Sequence, residues 1–395
     1  MQIYMVGGAV RDALLGLPVK DRDWVVVGST PEELVALGYL PVGRDFPVFL
    51  HPVTREEYAL ARTERKTAPG YRGFAIHSAP DVTLEQDLAR RDLTINSIAV
   101  HADRIRADGT FDTKKTTFID PFNGLKDITH KVLRHTTLAF HEDPVRILRV
   151  ARLAARFTDF SLAPETLRLM REMVQHGEAD HLVSERVWQE LSRGLLEELP
   201  SRMFDVLNQC DVLPLLFPEV LTLVAPFRTA VLDLAASRQA PLKVSFACLC
   251  ACLESPDLSG GNVAWIKNLS ERLRVPTECR ELAEVVARER TAIARCTEFD
   301  AMALVNLLER CDAIRKPERL KDILLASECI HQVGQPPPDK PYPQRERLLS
   351  ALTSVQTVAT DLVATHAISA GATGPEIGQM IHAERVAAVN RDLRP

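Results

Sequence analysis

The stretch of sequence that decides the fold is GGAVRD at residues 7–12, followed by DRD at residues 21–23 and the apolar run WVVV at residues 24–27. Successive side chains of a strand alternate between its two faces, so Asp21 and Asp23 are expected on one side of a strand that begins here. Two carboxylates at one edge can share a cation, and Mg²⁺ is commonly held by one or two carboxylates plus substrate phosphates. The spacing predicts a metal site; the alternative is a pair of solvated surface acids.

The two glycines predict a phosphate-binding turn. They follow an apolar segment at residues 3–6 and precede a predicted helix at residues 9–15. Because they lack side chains, Gly7 and Gly8 let a phosphate approach the backbone, and the helix N-terminus favours an anion. Arg11 would add a charged fork to the same phosphates. The alternative is a tight glycine turn that binds nothing, since an isolated glycine-rich match is weak.

Two later motifs add specificity: RRDLTINSIA at residues 90–99 and EDPVRILRVAR at residues 142–152. Together with GGAVRD and DRD, they make the chain resemble the class II tRNA nucleotidyltransferases, the bacterial CCA-adding enzymes within the polymerase-beta-like nucleotidyltransferase superfamily. The resemblance is strong over the first half of the chain and looser beyond. It implies an enzyme that builds or repairs the 3′-terminal CCA of tRNA from CTP and ATP with Mg²⁺, releasing pyrophosphate by two-metal nucleotidyl transfer. The implied partner is tRNA, bound through its acceptor arm and 3′ end.

The resemblance also implies roles for single residues of the head. Asp21 and Asp23 are expected to bind the metal and carry catalysis. Glu57 stands where the family has an acid before a strand, which implies a third carboxylate; the alternative is a solvated turn glutamate. Arg91 and Asp92 are expected to face the nucleotide, with Arg91 on phosphate oxygens and Asp92 accepting a hydrogen bond from a sugar hydroxyl.

Asn96, in the same motif, is expected either to serve the nucleotide pocket or to cap a turn, and we prefer the capping role. In the last motif, arginines recur at helical spacing. The residues expected on one helix face are Asp143, Arg146, Arg149 and Arg152.

An aspartate with an arginine can present a Watson–Crick-like edge to a base. The resemblance implies that Asp143 and Arg146 select CTP and then ATP without a template, and that Arg149 supports the base or the phosphates. The alternative is ion pairing between residues three apart on a solvated face, which contributes about 0.2–0.5 kcal/mol per pair.

Composition agrees with a large cytoplasmic enzyme. The 395 residues carry a formal net charge of -5, so RNA contacts are expected from local basic patches rather than from an overall field. The sequence has neither an uninterrupted apolar run of about 20 residues nor a secretory N-terminus, so we expect no membrane segment. The eight cysteines lack zinc-ligand spacing and are expected to be buried free thiols.

The sequence divides into three predicted parts. Residues 1–136 mix short strands and helices and predict an α+β nucleotidyltransferase head with a small mixed sheet. Residues 137–205 predict a helical neck with the base-recognition helix, and residues 206–395 an all-helical body and tail for tRNA binding. The proline-rich residues 335–343 predict a linker or loop. Residues 62–73 resemble the family's flexible loop.

Two alternative functions stay open. A poly(A) polymerase of the same superfamily shares the head motifs, but this chain has no basic tail after its last predicted helices. A non-catalytic RNA-binding protein could keep the fold, and Asp21, Asp23 and Arg91 speak against it. Ala251 and Cys252 stand where longer family members carry a His-Asp dipeptide, so phosphohydrolase activity is not expected.

Overall fold

The apolar runs of the first hundred residues become short strands. The computed structural model describes residues 1–42, 48–66, 74–218, 226–252, 263–333 and 341–393. The strands are β1 Gln2–Val6, β2 Asp23–Val27, β3 Leu40–Val42, β4 Val48–Leu50, β5 Glu57–Leu60, β6 Thr63–Lys66, β7 Phe74–His77, β8 Ala99–His101, β9 Val132–Leu133 and β10 Ser161–Leu162.

Six of these strands form one mixed sheet in the order β3-β4-β5-β2-β1-β8, which confirms the predicted small mixed sheet. Neighbours pair antiparallel, but β2 and β5 run parallel. This pairing sets Asp23 opposite Glu57 and Trp24 opposite Tyr58, whose rings stack with centroids 5.3 Å apart. The beginnings of β2 and β5 therefore lie side by side.

The helices carry the rest of the chain. They are α1 Gly8–Leu14, α2 Pro31–Ala36, α3 Leu84–Ala89, α4 Gly124–His130, α5 Val145–Arg156, α6 Pro164–Gln175, α7 Ser184–Gly194, α8 Ser201–Gln209, α9 Leu213–Leu216, α10 Pro226–Ser237, α11 Leu242–Cys252, α12 Val263–Leu273, α13 Thr277–Arg295, α14 Ala301–Arg310, α15 Pro317–Gln332, α16 Pro343–Gln356, α17 Thr360–Ser369 and α18 Gly374–Asp392.

Alternation along the strands gives the sheet two apolar faces. One face packs Trp24 and Val26 with residues of α1 and α2, including the fully buried Val10 and Leu34. The other face packs alternate residues of the same strands with α3. Its buried members are Tyr4, Val6, Val25, Ala61, Val82, Leu84, Leu88 and Ala99. Asp23 shares a face with Val25, so it lies on the side of the sheet that α3 covers.

By their contacts, the described residues form two compact units. One comprises Met1–Gly194 with Arg202–Leu216, and the other Leu195–Ser201 with Phe217–Pro395. Residue 136 is not a boundary between units, because β9, which precedes it, pairs in parallel with β10, which follows it. The division into head, neck, and body with tail stays a prediction. Every secondary-structure element described in the second unit is a helix, as expected.

All eight cysteines are buried and free, which confirms that prediction. Within the described residues, no single helix combines the length and hydropathy needed to cross a membrane, while α16 and α17 pass that test only together, bent by 49°. Most of the predicted flexible loop at residues 62–73 and of the proline-rich linker at residues 335–343 lies outside the described residues.

Candidate active site

Three carboxylates lie at the beginnings of two neighbouring parallel strands. Asp23 is the first residue of β2 and Glu57 the first of β5, and their register places both side chains on one face. Asp21 precedes β2 by two residues, so the prediction that it belongs to the strand is wrong. All three are exposed, and within the described residues their carboxylates have no hydrogen bond or ion pair. They are free to bind a ligand from outside the protein.

The glycine turn lies directly beside one of these carboxylates, Asp23. Val6 pairs with Asp23 across β1 and β2, and Gly7 follows Val6 with a left-handed φ of 72°. A Cβ atom on Gly7 would lie 3.0 Å from Nη1 of Arg91 and 3.8 Å from Oδ2 of Asp23. Gly7 therefore lies close to both the predicted phosphate-binding arginine and the predicted metal ligand.

Gly7→Ala is expected to damage both the backbone and the site. An L side chain at this φ costs roughly 1–2 kcal/mol of stability, and the new methyl group would displace the Arg91 guanidinium, raising KM for the nucleotide. Gly16→Ala is the matched control, since Gly16 has a φ of 69° but nothing within 4 Å of its Cβ position. Thermal melts should show similar losses for both variants. A normal KM in Gly7→Ala would contradict the expected contact with Arg91.

Arg91 is held by a residue that the sequence motifs do not single out. Asp87 of α3 accepts hydrogen bonds from Nη2 of Arg91 at 3.2 Å, from Nε of Arg90 at 3.0 Å and from the backbone N–H of Arg62 at 3.3 Å. Burial alone would raise the pKa of Asp87, but Arg90 and Arg91 outweigh it and hold that pKa below its usual range. Its position four residues before Arg91 on a predicted helix is the signal that could have found it.

Within the described residues, the buried Nε of Arg91 has no hydrogen-bond partner. A buried donor without an acceptor is costly, and a phosphate oxygen beside Asp23 would satisfy it. The predicted phosphate role of Arg91 thus has geometric support.

Arg11 binds other groups of the protein. Its side chain is buried, donates from Nε to Oδ1 of Asp12 at 2.8 Å and from Nη1 to Oδ1 of Asn96, and lies over the ring of Phe157 with a centroid distance of 5.0 Å. Burial lowers the pKa of Arg11. Protein groups and an aromatic ring enclose the guanidinium in this structure, and the phosphate role of Arg11 stays a prediction. The phosphate-approach role of Gly8, the first residue of α1, also stays a prediction.

Asn96 bridges two charged residues and does not cap the turn, so the preferred capping role is wrong. It accepts from Arg11 through Oδ1 and donates from Nδ2 to Asp92 at 2.9 Å. Asp92 is buried and also accepts from Nε of Arg149 at 2.7 Å. Burial would raise the pKa of Asp92, but the Arg149 charge and the Asn96 hydrogen bond hold that pKa far below its usual range. The predicted contact of Asp92 with a sugar hydroxyl stays a prediction. In the structure, the Asp92 carboxylate holds the Arg149 side chain in place.

These contacts belong to a longer series of alternating charges, which we call the polar chain. Its members, in order of contact, are Arg156, Asp12, Arg11, Asn96, Asp92, Arg149, Glu190 and Arg152. Glu190 is buried on α7 and pairs with Nε of Arg152 at 2.6 Å. The chain connects GGAVRD, the RRD motif and α5. Arg149, Arg152 and Arg156 of α5 therefore pair with acids on other elements.

The predicted base-reading residues lie at the beginning of α5. Asp143 precedes the helix in an extended conformation, so the expectation that it belongs to the helix is wrong. Its Oδ1 accepts from the backbone N–H of Val145 at 3.1 Å, and Arg186 of α7 forms a two-pronged ion pair with both carboxylate oxygens, at 3.1 and 2.8 Å. The buried Arg146 donates from Nη1 to the carbonyl oxygen of Ala139 at 2.6 Å. Both side chains are fixed by protein contacts, and Arg186 is the residue of α7 that holds Asp143.

The carboxylates fit a divalent cation that also binds a triphosphate. Within the described residues, no three His, Cys, Asp or Glu side chains form a group that could hold a metal ion. Exposed oxygen donors without protein partners suit an ion that keeps water and phosphate ligands, as Mg²⁺ does. Asp21, Asp23 and Glu57 would hold such an ion only when substrate phosphates complete its ligand sphere.

Family comparisons agree with this arrangement of motifs. The model of the poly A polymerase head domain matches residues 3–134, and the model described as probable RNA and SrmB-binding site of polymerase A matches residues 159–223. The chain is 58% identical to the multifunctional CCA protein of Acidovorax ebreus, covering 98% of this chain and 96% of that protein. It is also 58% identical to the protein of that name in Variovorax paradoxus, covering 98% and 99%. The chain belongs to the bacterial CCA-adding enzymes.

Solved structures of CCA-adding enzymes share the fold. An apo form superposes with a TM-score of 0.71 at 22% identity, covering all of this chain and 89% of that one. The Thermotoga maritima CCA-adding enzyme complexed with tRNA superposes with a TM-score of 0.69 at 24% identity, covering all of this chain and 88% of that one. Membership of this nucleotidyltransferase family implies a divalent metal.

Proposed function

We propose that this chain adds and repairs the 3′-terminal CCA of tRNA without a nucleic-acid template, using CTP and ATP and releasing pyrophosphate, with Mg²⁺ as the divalent ion. The observation that carries the proposal is the meeting of Asp23, Glu57 and Arg91 beside Gly7, on a chain 58% identical to named CCA proteins. A cytoplasmic location, expected from the sequence, is part of the proposal.

In the proposed reaction, the tRNA 3′-oxygen forms a bond to the α-phosphorus as the bond from that phosphorus to the β-phosphate bridging oxygen breaks. The hydroxyl proton passes from the attacking oxygen to solvent water, and pyrophosphate carries away the electron pair of the broken bond. Of two bound Mg²⁺ ions, one would lower the pKa of the hydroxyl and the other would offset charge on the triphosphate. Asp21, Asp23 and Glu57 would hold the ions, and Arg91, oriented by Asp87, would pair with phosphate oxygens.

Base selection belongs to the fixed pair at the beginning of α5. Asp143 offers acceptors and Arg146 offers donors, and both are held by protein groups before any nucleotide binds. Preorganised hydrogen-bonding groups reject a base that leaves them unpaired. Arg149, fixed by Asp92 and Glu190, would support the base or the phosphates from the next turn of α5.

The proposal is tested by giving the purified protein a tRNA that lacks CCA, with labelled CTP and ATP and Mg²⁺. We expect extension by two C residues and then one A, followed by a stop, read on a sequencing gel. A tRNA ending in CC separates full CCA addition from addition of the last A alone. Long A tracts on unrelated RNA would instead identify a poly(A) polymerase, and no extension of any RNA would leave a non-catalytic RNA-binding protein.

A further inference from the structure

A polar cluster lies on the face of β2 and β5 opposite the three carboxylates. Nη1 of Arg22 donates to Oε1 of Glu56 at 2.6 Å, and the indole N–H of Trp24 donates to Oε2 of Glu56 at 3.0 Å. Arg22 stands in the chain between Asp21 and Asp23, and Glu56 directly precedes Glu57. One ion pair therefore connects the segments that carry all three carboxylates.

A third segment, at Asp108 and Gly109, also contacts the Arg22 side chain. Its Nη2 donates to the carbonyl oxygen of Asp108 at 3.0 Å. Gly109 has a φ of 79°, and a side chain at Gly109 would overlap the Arg22 guanidinium. Side chains of Arg22 and Glu56 are only 29% and 21% exposed, so the pair is more shielded from solvent than a surface salt bridge.

We propose that Arg22 and Glu56 are positioning residues for the metal site, whose ion pair holds the beginnings of β2 and β5 at the spacing that lets Asp21, Asp23 and Glu57 bind one metal-nucleotide complex. This inference rests on the proposed function. A one-residue shift of β5 against β2 would turn Glu57 to the opposite face, because strand side chains alternate. The Arg22–Glu56 pair opposes that shift and smaller displacements of the two strand ends.

The direction of the change in metal affinity distinguishes a positioning role of Arg22 from a simple effect of its charge. Arg22 is a cation beside a cation site, so removing its charge should tighten metal binding if charge alone matters. If Arg22 acts by holding the strands, its removal should weaken metal binding. Residues that orient metal ligands typically contribute 10–100-fold to metal affinity, which is large enough to exceed the opposing charge effect.

The experiment measures Mn²⁺ binding to the full chain by electron paramagnetic resonance at saturating α,β-methylene-CTP, which binds without being transferred. Arg22→Gln and Glu56→Gln are each expected to raise the Kd for Mn²⁺ about tenfold. The double variant should be no weaker than either single variant, because both substitutions break one pair. Arg104→Gln is the matched control: Arg104 is an exposed head residue, and its substitution removes the same charge.

An unchanged or lowered Kd in Arg22→Gln would overturn the proposal, as would a lowered melting temperature without a change in Kd. Arg22→Lys keeps the charge but not the forked contact, so its Kd should lie between wild type and Arg22→Gln. It serves as the second test if Arg22→Gln does not fold. Asp23→Asn in the same titration tests the proposed function itself. A wild-type Kd for Mn²⁺ in Asp23→Asn would refute the metal site. A raised Kd in Asp23→Asn together with a wild-type Kd in Arg22→Gln would refute only the positioning role.

Discussion

Asp23→Asn is expected to lower the rate of nucleotide transfer about a thousandfold, which corresponds to about 4 kcal/mol of lost transition-state stabilisation. Asp23 is exposed, and its carboxylate has no protein partner within the described residues, so the substitution removes no internal contact. The melting temperature should therefore stay within a degree or two of wild type. Single-turnover assays with CTP and a tRNA lacking CCA would measure the loss.

Glu57→Gln extends the same experiment to the residue whose role the sequence leaves open. The register of β2 and β5 places Glu57 opposite Asp23, so we expect a loss of similar size. A solvated turn glutamate would give wild-type rates instead. Asp103→Asn is the control, because Asp103 is an exposed aspartate of the same unit that lies on the short helical turn Ala102–Arg104 after β8. A wild-type rate in Asp23→Asn would show that the metal assignment is wrong.

The second large effect is expected on base selection. Asp143→Ala should lower the ratio of kcat/KM for CTP over UTP by about a hundredfold, because the variant no longer penalises a base with unmatched hydrogen-bonding groups. The measurement compares single additions of C and U to the same tRNA. Overall fold should persist, since Asp143 precedes α5 and leaves its packed face unchanged.

Arg186→Ala tests whether base selection requires the Asp143 carboxylate to be held in place as well as to be present. Loss of the two-pronged ion pair frees the carboxylate, so we expect a smaller fall in the same CTP-to-UTP ratio. Arg193→Ala is the matched control, because Arg193 is an exposed arginine of the same helix. If Arg186→Ala slowed C and U additions equally, Arg186 would serve stability and not selection.

The sequence predicts those parts of the site that depend on local spacing. The strand beginning at DRD, the turn at Gly7 and the helix after it follow from alternation and glycine geometry, and the structure places them within a residue or two of their predicted bounds. The pairing of Asp23 with Glu57 depends on which strands become neighbours. The position of β5 beside β2 was not available from the spacing of either segment.

The differences between the predicted and the observed surroundings of these side chains share a physical cause. Arg11 and Asn96 carry the donors and acceptors typical of a ligand site, but partners remote in sequence occupy them. Asp143 fits a helical wheel, yet the proline after it is the N-cap residue and the helix begins only at Val145, two positions after Asp143. Asp87 has no motif of its own, and only the packing of α7 and α3 shows which arginines Glu190 and Asp87 hold.

The polar chain also bears on how this head can change over evolutionary time or in the laboratory. Each charge in it balances its neighbour, so a substitution at one member leaves another buried or half-buried charge without its partner. A chimera that takes residues 142–156 from a distant relative would therefore need that relative's counterparts of Asp12, Asp92, Glu190 and Arg186 as well. Helix α5 and the GGAVRD and RRD motifs would therefore have to be exchanged together, even though long stretches of sequence separate them.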